Sequence, residues 1–147
     1  MTYVHVNEFA KEFKVTGDWL LQEAEAEFEK GDLVQASEKS WGAVSQYLKA
    51  LATERDWGHD THSHLVQVAD MLAEEAGNEG MSRLFYAAES LHANYYQAHR
   101  NEASVRRAMD DVKRYVGILA AIPPPEVAPR RNHVKARPFY RTRDGNP

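Results

Sequence analysis

No proline occurs in the first 122 residues of this chain; all six lie between Pro123 and Pro147. A proline ring removes a backbone donor and clashes with the preceding helical turn, so nothing of that kind interrupts helix anywhere upstream. Into this stretch apolar residues are written at helical period. A first helix begins near Asn7 and carries Phe9 and Phe13, then, past Gly17, Leu20, Ala24 and Phe28 at spacings of four. Gly17 offers a point at which it could divide into two pieces. Gly31-Asp32 supplies a stop followed by an N-cap.

From Leu33 to about Arg55 apolar residues cover more than half of the helical circumference, among them Trp41, Val44, Tyr47, Leu48 and Leu51. Such a helix belongs near the centre of a bundle, and Trp41, on the face of Val44 and Leu48, is expected to be buried. The next stripe, Leu65, Val68, Ala69, Leu72 and Ala76, ends at the tight connection Gly77-Asn78-Glu79-Gly80. Leu84, Phe85, Ala88, Leu91, Tyr95 and Tyr96 mark another helix. Val105, Met109, Val112, Val116 and Leu119 alternate spacings of four and three, as a packed seam requires, behind Asn101 as N-cap.

Short connections make neighbouring helices antiparallel, and no period-2 run supports a sheet. The expected fold is therefore all-α: an antiparallel up-and-down bundle of four main helices plus an N-terminal helical segment over residues 1–122. Beyond it the Pro-Pro-Pro segment leaves the helix, and residues 123–147 form an extended Pro-rich basic tail.

The chain's 147 residues are one domain's length, and with no cysteine there is no disulfide, thiolate metal site or cysteine nucleophile. No apolar run approaches the length of a membrane span, and the start Met-Thr-Tyr-Val-His lacks the basic and apolar parts of a signal peptide, so the expected location is the cytoplasm. The net charge of −4 is unevenly placed. Residues 1–122 hold 12 Lys/Arg against 20 Asp/Glu, whereas residues 123–147 hold six against two. An acidic body argues against nucleic-acid binding over its whole surface, and only the tail is basic.

The segment Glu27-Phe-Glu-Lys-Gly-Asp-Leu-Val-Gln-Ala-Ser-Glu-Lys-Ser-Trp-Gly-Ala-Val, continuing to Lys49-Ala-Leu and Trp57-Gly-His-Asp, resembles the archaeal PaREP-type families. These are placed in the HEPN superfamily of helical nucleotide-binding and ribonuclease-related domains. The later Ser90-Leu-His-Ala-Asn-Tyr-Tyr-Gln is similar to their second signature. The resemblance implies a four- or five-helix bundle that is usually dimeric. Active HEPN ribonucleases carry an arginine followed, after four to six positions, by a histidine. Here Arg83 precedes His92 by eight intervening residues and Arg100-Asn101 has no such histidine downstream, so no catalytic residue carries over. Lys30-Gly-Asp-Leu-Val-Gln-Ala also resembles one tetratricopeptide repeat, yet no copy follows at about 34 residues.

Several constellations could carry chemistry. His59, His62 and His64, with Asp60, gather imidazoles that suit Zn, Ni or Cu, although their spacing lacks the i, i+4 pair of a helical zinc motif. The plainer reading is a polar loop whose Thr61 or Ser63 caps the next helix. His92 and His99, seven apart on a face with Ala88 and Tyr95 if that helix runs unbroken, are candidate general acids or bases, against a structural role in the core or an interface. Asn94, Tyr95 and Tyr96 could contact a base or ribose, or pack in the core. In the tail, Arg130, Arg131, Lys135, Arg137, Phe139, Tyr140, Arg141 and Arg143 combine phosphate-neutralising charge with rings that stack on unpaired bases, and the alternative is an arm lying on the acidic body or a partner subunit.

The expected function is thus a non-catalytic HEPN-like interaction module, cofactor-free, forming a homodimer and binding a macromolecular partner, either protein or single-stranded nucleic acid. The alternatives are a divergent ribonuclease or toxin component and a tetratricopeptide-like protein-binding module.

Overall fold

A computed structural model describes residues 7–126. It contains five helices: α1 (Glu8–Glu29), α2 (Leu33–Glu54), α3 (His62–Ala76), α4 (Gly80–Gln97) and α5 (Glu102–Ala121). Four of them start on a side-chain cap. Asn7, Asp32, Thr61 and Asn101 each accept the amide three residues on, from Ala10, Gln35, His64 and Ser104, and so satisfy one of the free amides of a first turn. α3 ends on Gly77, whose φ of 63° is a left-handed value that glycine adopts without steric cost. α5 stops at Ala121 because Ile122 precedes Pro123, and the proline ring pushes it to the extended φ −75°, ψ 119°.

α1 runs straight through Gly17, contrary to the break offered there by the sequence. The reason is contact. Small buried residues recur every seven positions on α1, at Ala10, Gly17 and Ala24, and on α2, at Ala36, Ala43 and Ala50. The two helices run antiparallel and approach closely along these seams, so that a Cβ on Gly17 would lie 3.2 Å from the Ala43 carbonyl oxygen. A glycine that costs roughly 1 kcal/mol of helix propensity is kept because nothing larger fits.

α2 is the central element, packed against each of the other four helices, as its apolar circumference predicts. α1 forms an outer layer on it. The core is one cluster in which Val44, Leu48 and Leu51 of α2 meet Leu72 of α3, Leu91 of α4 and Leu119 of α5, all with 0% exposure. Helices surrounding a single core, rather than stacked pairs of like helices, are a bundle and not a repeat array. Trp41 is buried as expected, at 7% exposure.

Two features fasten the bundle outside the apolar core. Arg55, only 5% exposed, forms a two-pronged pair with Glu75 of α3 through Nε at 3.0 Å and Nη2 at 2.8 Å, and donates back to the Leu51 carbonyl. Arg106 of α5 does the same to Glu25 of α1 at 2.9 and 2.7 Å, with Lys113 on the same carboxylate. Paired guanidinium–carboxylate forks fix direction as well as distance. The tail residues Arg130, Arg131, Lys135, Arg137, Phe139, Tyr140, Arg141 and Arg143 lie outside the described residues.

Candidate functional site

Three helices bring polar and aromatic groups together at one place on the surface. α4 presents a flank of Phe85, Glu89, His92 and Tyr96, spaced four, three and four, which is one edge of a helix. α2 presents Glu38 and Trp41 to it. α3 presents His62, its first residue, positioned by the Thr61 cap.

The rings form a stack. Trp41 lies 5.1 Å from His92 with planes 28° apart and 5.2 Å from His62 at 35°, while the two imidazoles are 5.8 Å apart at 17°. Phe85 meets Trp41 edge-on at 5.9 Å, and Tyr96 meets His92 edge-on at 5.5 Å. Each imidazole is also held by a carboxylate from another helix: His92 Nδ1 is 3.0 Å from Glu38 Oε1, and His62 Nε2 is 2.9 Å from Glu89 Oε2. A carboxylate accepts, so those two nitrogens donate, and the tautomer of each ring is set by its partner. His92 Nε2 and His62 Nδ1 make no hydrogen bond among the described residues. The His62 side chain is 46% exposed, and that of His92 29%.

Such a pair of oriented imidazoles can move protons at the surface, or it can simply cross-brace α2, α3 and α4. The surroundings are acidic, with Glu38 on one imidazole and Glu89 on the other. A groove of about 390 Å³ lies elsewhere, at the start of α4 against α5, lined by Asn78, Gly80, Arg83, Leu84, Asp111 and Ile118.

The histidines proposed from sequence separate into different roles. Of His59, His62 and His64, only His62 enters the stack. His59 lies 3.3 Å from Thr53 Oγ1 and edge-on to Phe13, and His64 Nδ1 accepts the Asp60 amide at 3.1 Å. Among the described residues no group of three or more His, Asp or Glu could hold a metal ion. His92 and His99 do not share a helical face, because α4 ends at Gln97 and Ala98 takes a left-handed φ of 49°. Asn94 does not face solvent. It is 1% exposed, donates to Ser37 Oγ at 3.0 Å, and accepts the amides of both His99 and Arg100 at 3.0 Å. Asn94 thus caps the chain reversal that Ala98 begins. Tyr95 and Tyr96 are exposed rather than core, at 38% and 73%. Sequence reasoning missed Glu38 and Glu89 altogether, although the Phe85, Glu89, His92, Tyr96 spacing was a signal that could have found the second.

On its solvent side α4 carries Tyr86, which is 64% exposed and, among the described rings, meets the neighbouring Phe85 at 6.5 Å. Arg83, exposed one turn before it, makes no ion pair among the described residues.

The family model for the archaeal PaREP1/PaREP8 family matches residues 18–116. A crystal structure of a protein from Sulfolobus solfataricus is similar at 26% sequence identity with a TM-score of 0.64, covering 71% of this chain and 93% of that one. No curated protein matches the chain. No described helix is long and apolar enough to cross a membrane.

Proposed function

This chain belongs to the archaeal PaREP1/PaREP8 family, and we propose that its bundle is a HEPN-type interaction module, without catalysis of its own, that pairs with a second copy and engages a macromolecular partner. The observation that carries this reading is Tyr86, a large ring 64% exposed in the middle of a well-formed helix. Exposed tyrosines on rigid elements bring large contact area at little entropic cost, which is why they are enriched where proteins meet. Light scattering tests the self-association. The chain is 16.7 kDa, and the module is expected to scatter at twice that mass at micromolar concentration. A monomer there overturns the pairing. The partner is assigned to single-stranded nucleic acid or protein through residues 130–143, whose charge opposes that of the body.

A second reading, a divergent ribonuclease or toxin component, is favoured by the two carboxylate-held imidazoles. Carboxylates set the tautomer of catalytic histidines in the same way. The acidic surroundings place it second, since Glu38 and Glu89 repel a phosphate backbone. RNA cleavage by the purified chain, lost in His92→Ala with the helical content intact, would exchange the order of the two readings.

A further inference from the structure

We propose that two copies pair through the solvent faces of α4, antiparallel, with the two-fold axis passing at Tyr86. This rests on the self-association proposed above and names its surface. On a helix, the positions three, four and seven residues either side of Tyr86 share its face. They are Arg83 and Glu89, Ser82 and Ser90, and Glu79 and Ala93.

An antiparallel two-fold through residue 86 sets position 86 − n of one copy against position 86 + n of the other, because an isologous interface repeats every contact in reverse. The chemistry on this face suits that operation. Arg83 then meets the partner's Glu89 twice over, once on each side of the axis. Ser82 meets the partner's Ser90, whose hydroxyl is already held by the Arg100 guanidinium of its own copy, and the glutamate at 79 meets only an alanine. The two tyrosines stack at the centre, where the ring of Tyr86 is bare in one copy. A face carrying like charges at 83 and 89 would repel itself under the same operation.

Two further observations point to this surface. Arg83, like Arg107 of α5, is an exposed cation with no ion-pair partner among the described residues, whereas Arg55, Arg106 and Arg114 each have one. Glu89 uses one oxygen on His62 and has a second for a guanidinium. Pairing on α4 would therefore cover the open edge of the His62–Glu89 pair and tie the histidine stack to the interface.

The chain has no cysteine, so a single engineered thiol reports its own neighbour. In Tyr86→Cys the two thiols lie across the axis, within reach of a disulfide, and mild oxidation is expected to yield a covalent dimer on a non-reducing gel. Val15→Cys, 62% exposed on α1, is expected to stay monomeric on the same gel. Because Tyr86→Cys also removes the central ring, Arg83→Glu is measured beside it. It keeps the tyrosine, touches no ion pair of the fold, and is expected to weaken the dimer at least tenfold by light scattering with its helical content unchanged. A wild-type monomer overturns both this inference and the self-association. A wild-type dimer in which Tyr86→Cys fails to cross-link, or in which Arg83→Glu associates as tightly as the wild type, leaves the self-association standing and overturns this surface.

Discussion

Gly17 of α1 lies so close to Tyr47 of α2 that a methyl group on the glycine would sit 2.7 Å from the ring carbon Cδ2. The ring has little room to give way, for Tyr47 is 4% exposed and its hydroxyl donates to Asp18 Oδ1 at 2.7 Å. Burial, then the Asp18 bond and charge, hold that phenol well above its ordinary pKa, so the hydroxyl keeps its proton and goes on donating well into the alkaline range. The closest approach of α1 and α2 is thus fixed by a missing side chain on one helix and a tethered ring on the other.

Gly17→Ala is expected to destabilise the protein by about 1–3 kcal/mol, overpacking outweighing the roughly 1 kcal/mol that alanine gains as a better helix former. Gly117→Ala provides the opposite sign. Nothing lies within 4 Å of a Cβ there and the position is exposed, so only the propensity term remains, a gain of about 0.5–1 kcal/mol. Denaturant midpoints of the two variants check both signs together.

Helix starts and stops were legible because they depend on neighbours in sequence: Asn7, Asp32 and Asn101 cap where their side chains reach three residues ahead. Gly17 was misread because local propensity says break, while its role is set by Tyr47, thirty positions away. The central place of α2 was legible from its wide apolar face. The site was legible only in part. His92 stood out, but its partner Glu38 is 54 residues distant, and one helical period carries no information about which flank of α4 meets α2. The supposed His92–His99 face failed at Ala98, a non-glycine residue in the left-handed region, because the buried Asn94 pays the cost of that turn by capping it.

Asn94→Ala should therefore cost about 2–3 kcal/mol, since it removes the acceptor for two backbone amides and the donor to a buried Ser37 hydroxyl. Hydrogen exchange localises the effect. The amides of His99 and Arg100 should lose protection more than those in the middle of α4.

Trp41→Ala removes the ring on which both imidazoles stack as well as a buried core side chain, and is expected to cost about 3–5 kcal/mol in denaturant unfolding. A loss below about 1 kcal/mol would mean that the stack carries little of the packing between α2, α3 and α4.

Acid should loosen the α1–α5 contact. The Arg106 fork, helped by Lys113 and opposed by partial burial, lowers the Glu25 carboxyl to a pKa of about 2 from the ordinary 4.5. A folded-state pKa below the unfolded one contributes stability that is complete above about 4.5 and lost as pH falls toward 2. Glu25→Gln should be less stable than wild type near neutrality and should lose less between those limits. With the carboxylate 31% exposed, solvent screening keeps the difference small, and added salt should narrow it further. Urea midpoints of the two proteins across that pH range test the sign.

The basic segment makes the sharpest demand on function, because its two readings predict opposite effects of removing it. If residues 130–143 hold single-stranded nucleic acid by neutralising about four phosphates, log affinity should fall against log salt with a slope of about −3, at roughly −0.7 per contact. Deleting residues 123–147, which begin just past the end of α5 at Ala121, should then abolish binding and leave the melting temperature nearly unchanged. If instead the segment lies on the acidic body or on a second copy, deletion should lower the melting temperature or dissociate the dimer while nucleic-acid affinity changes little. Fluorescence anisotropy with a labelled single strand, on intact and truncated chains over a salt series, separates the two. Full affinity in the truncated chain would reject the segment as the binding element whatever slope the intact protein shows.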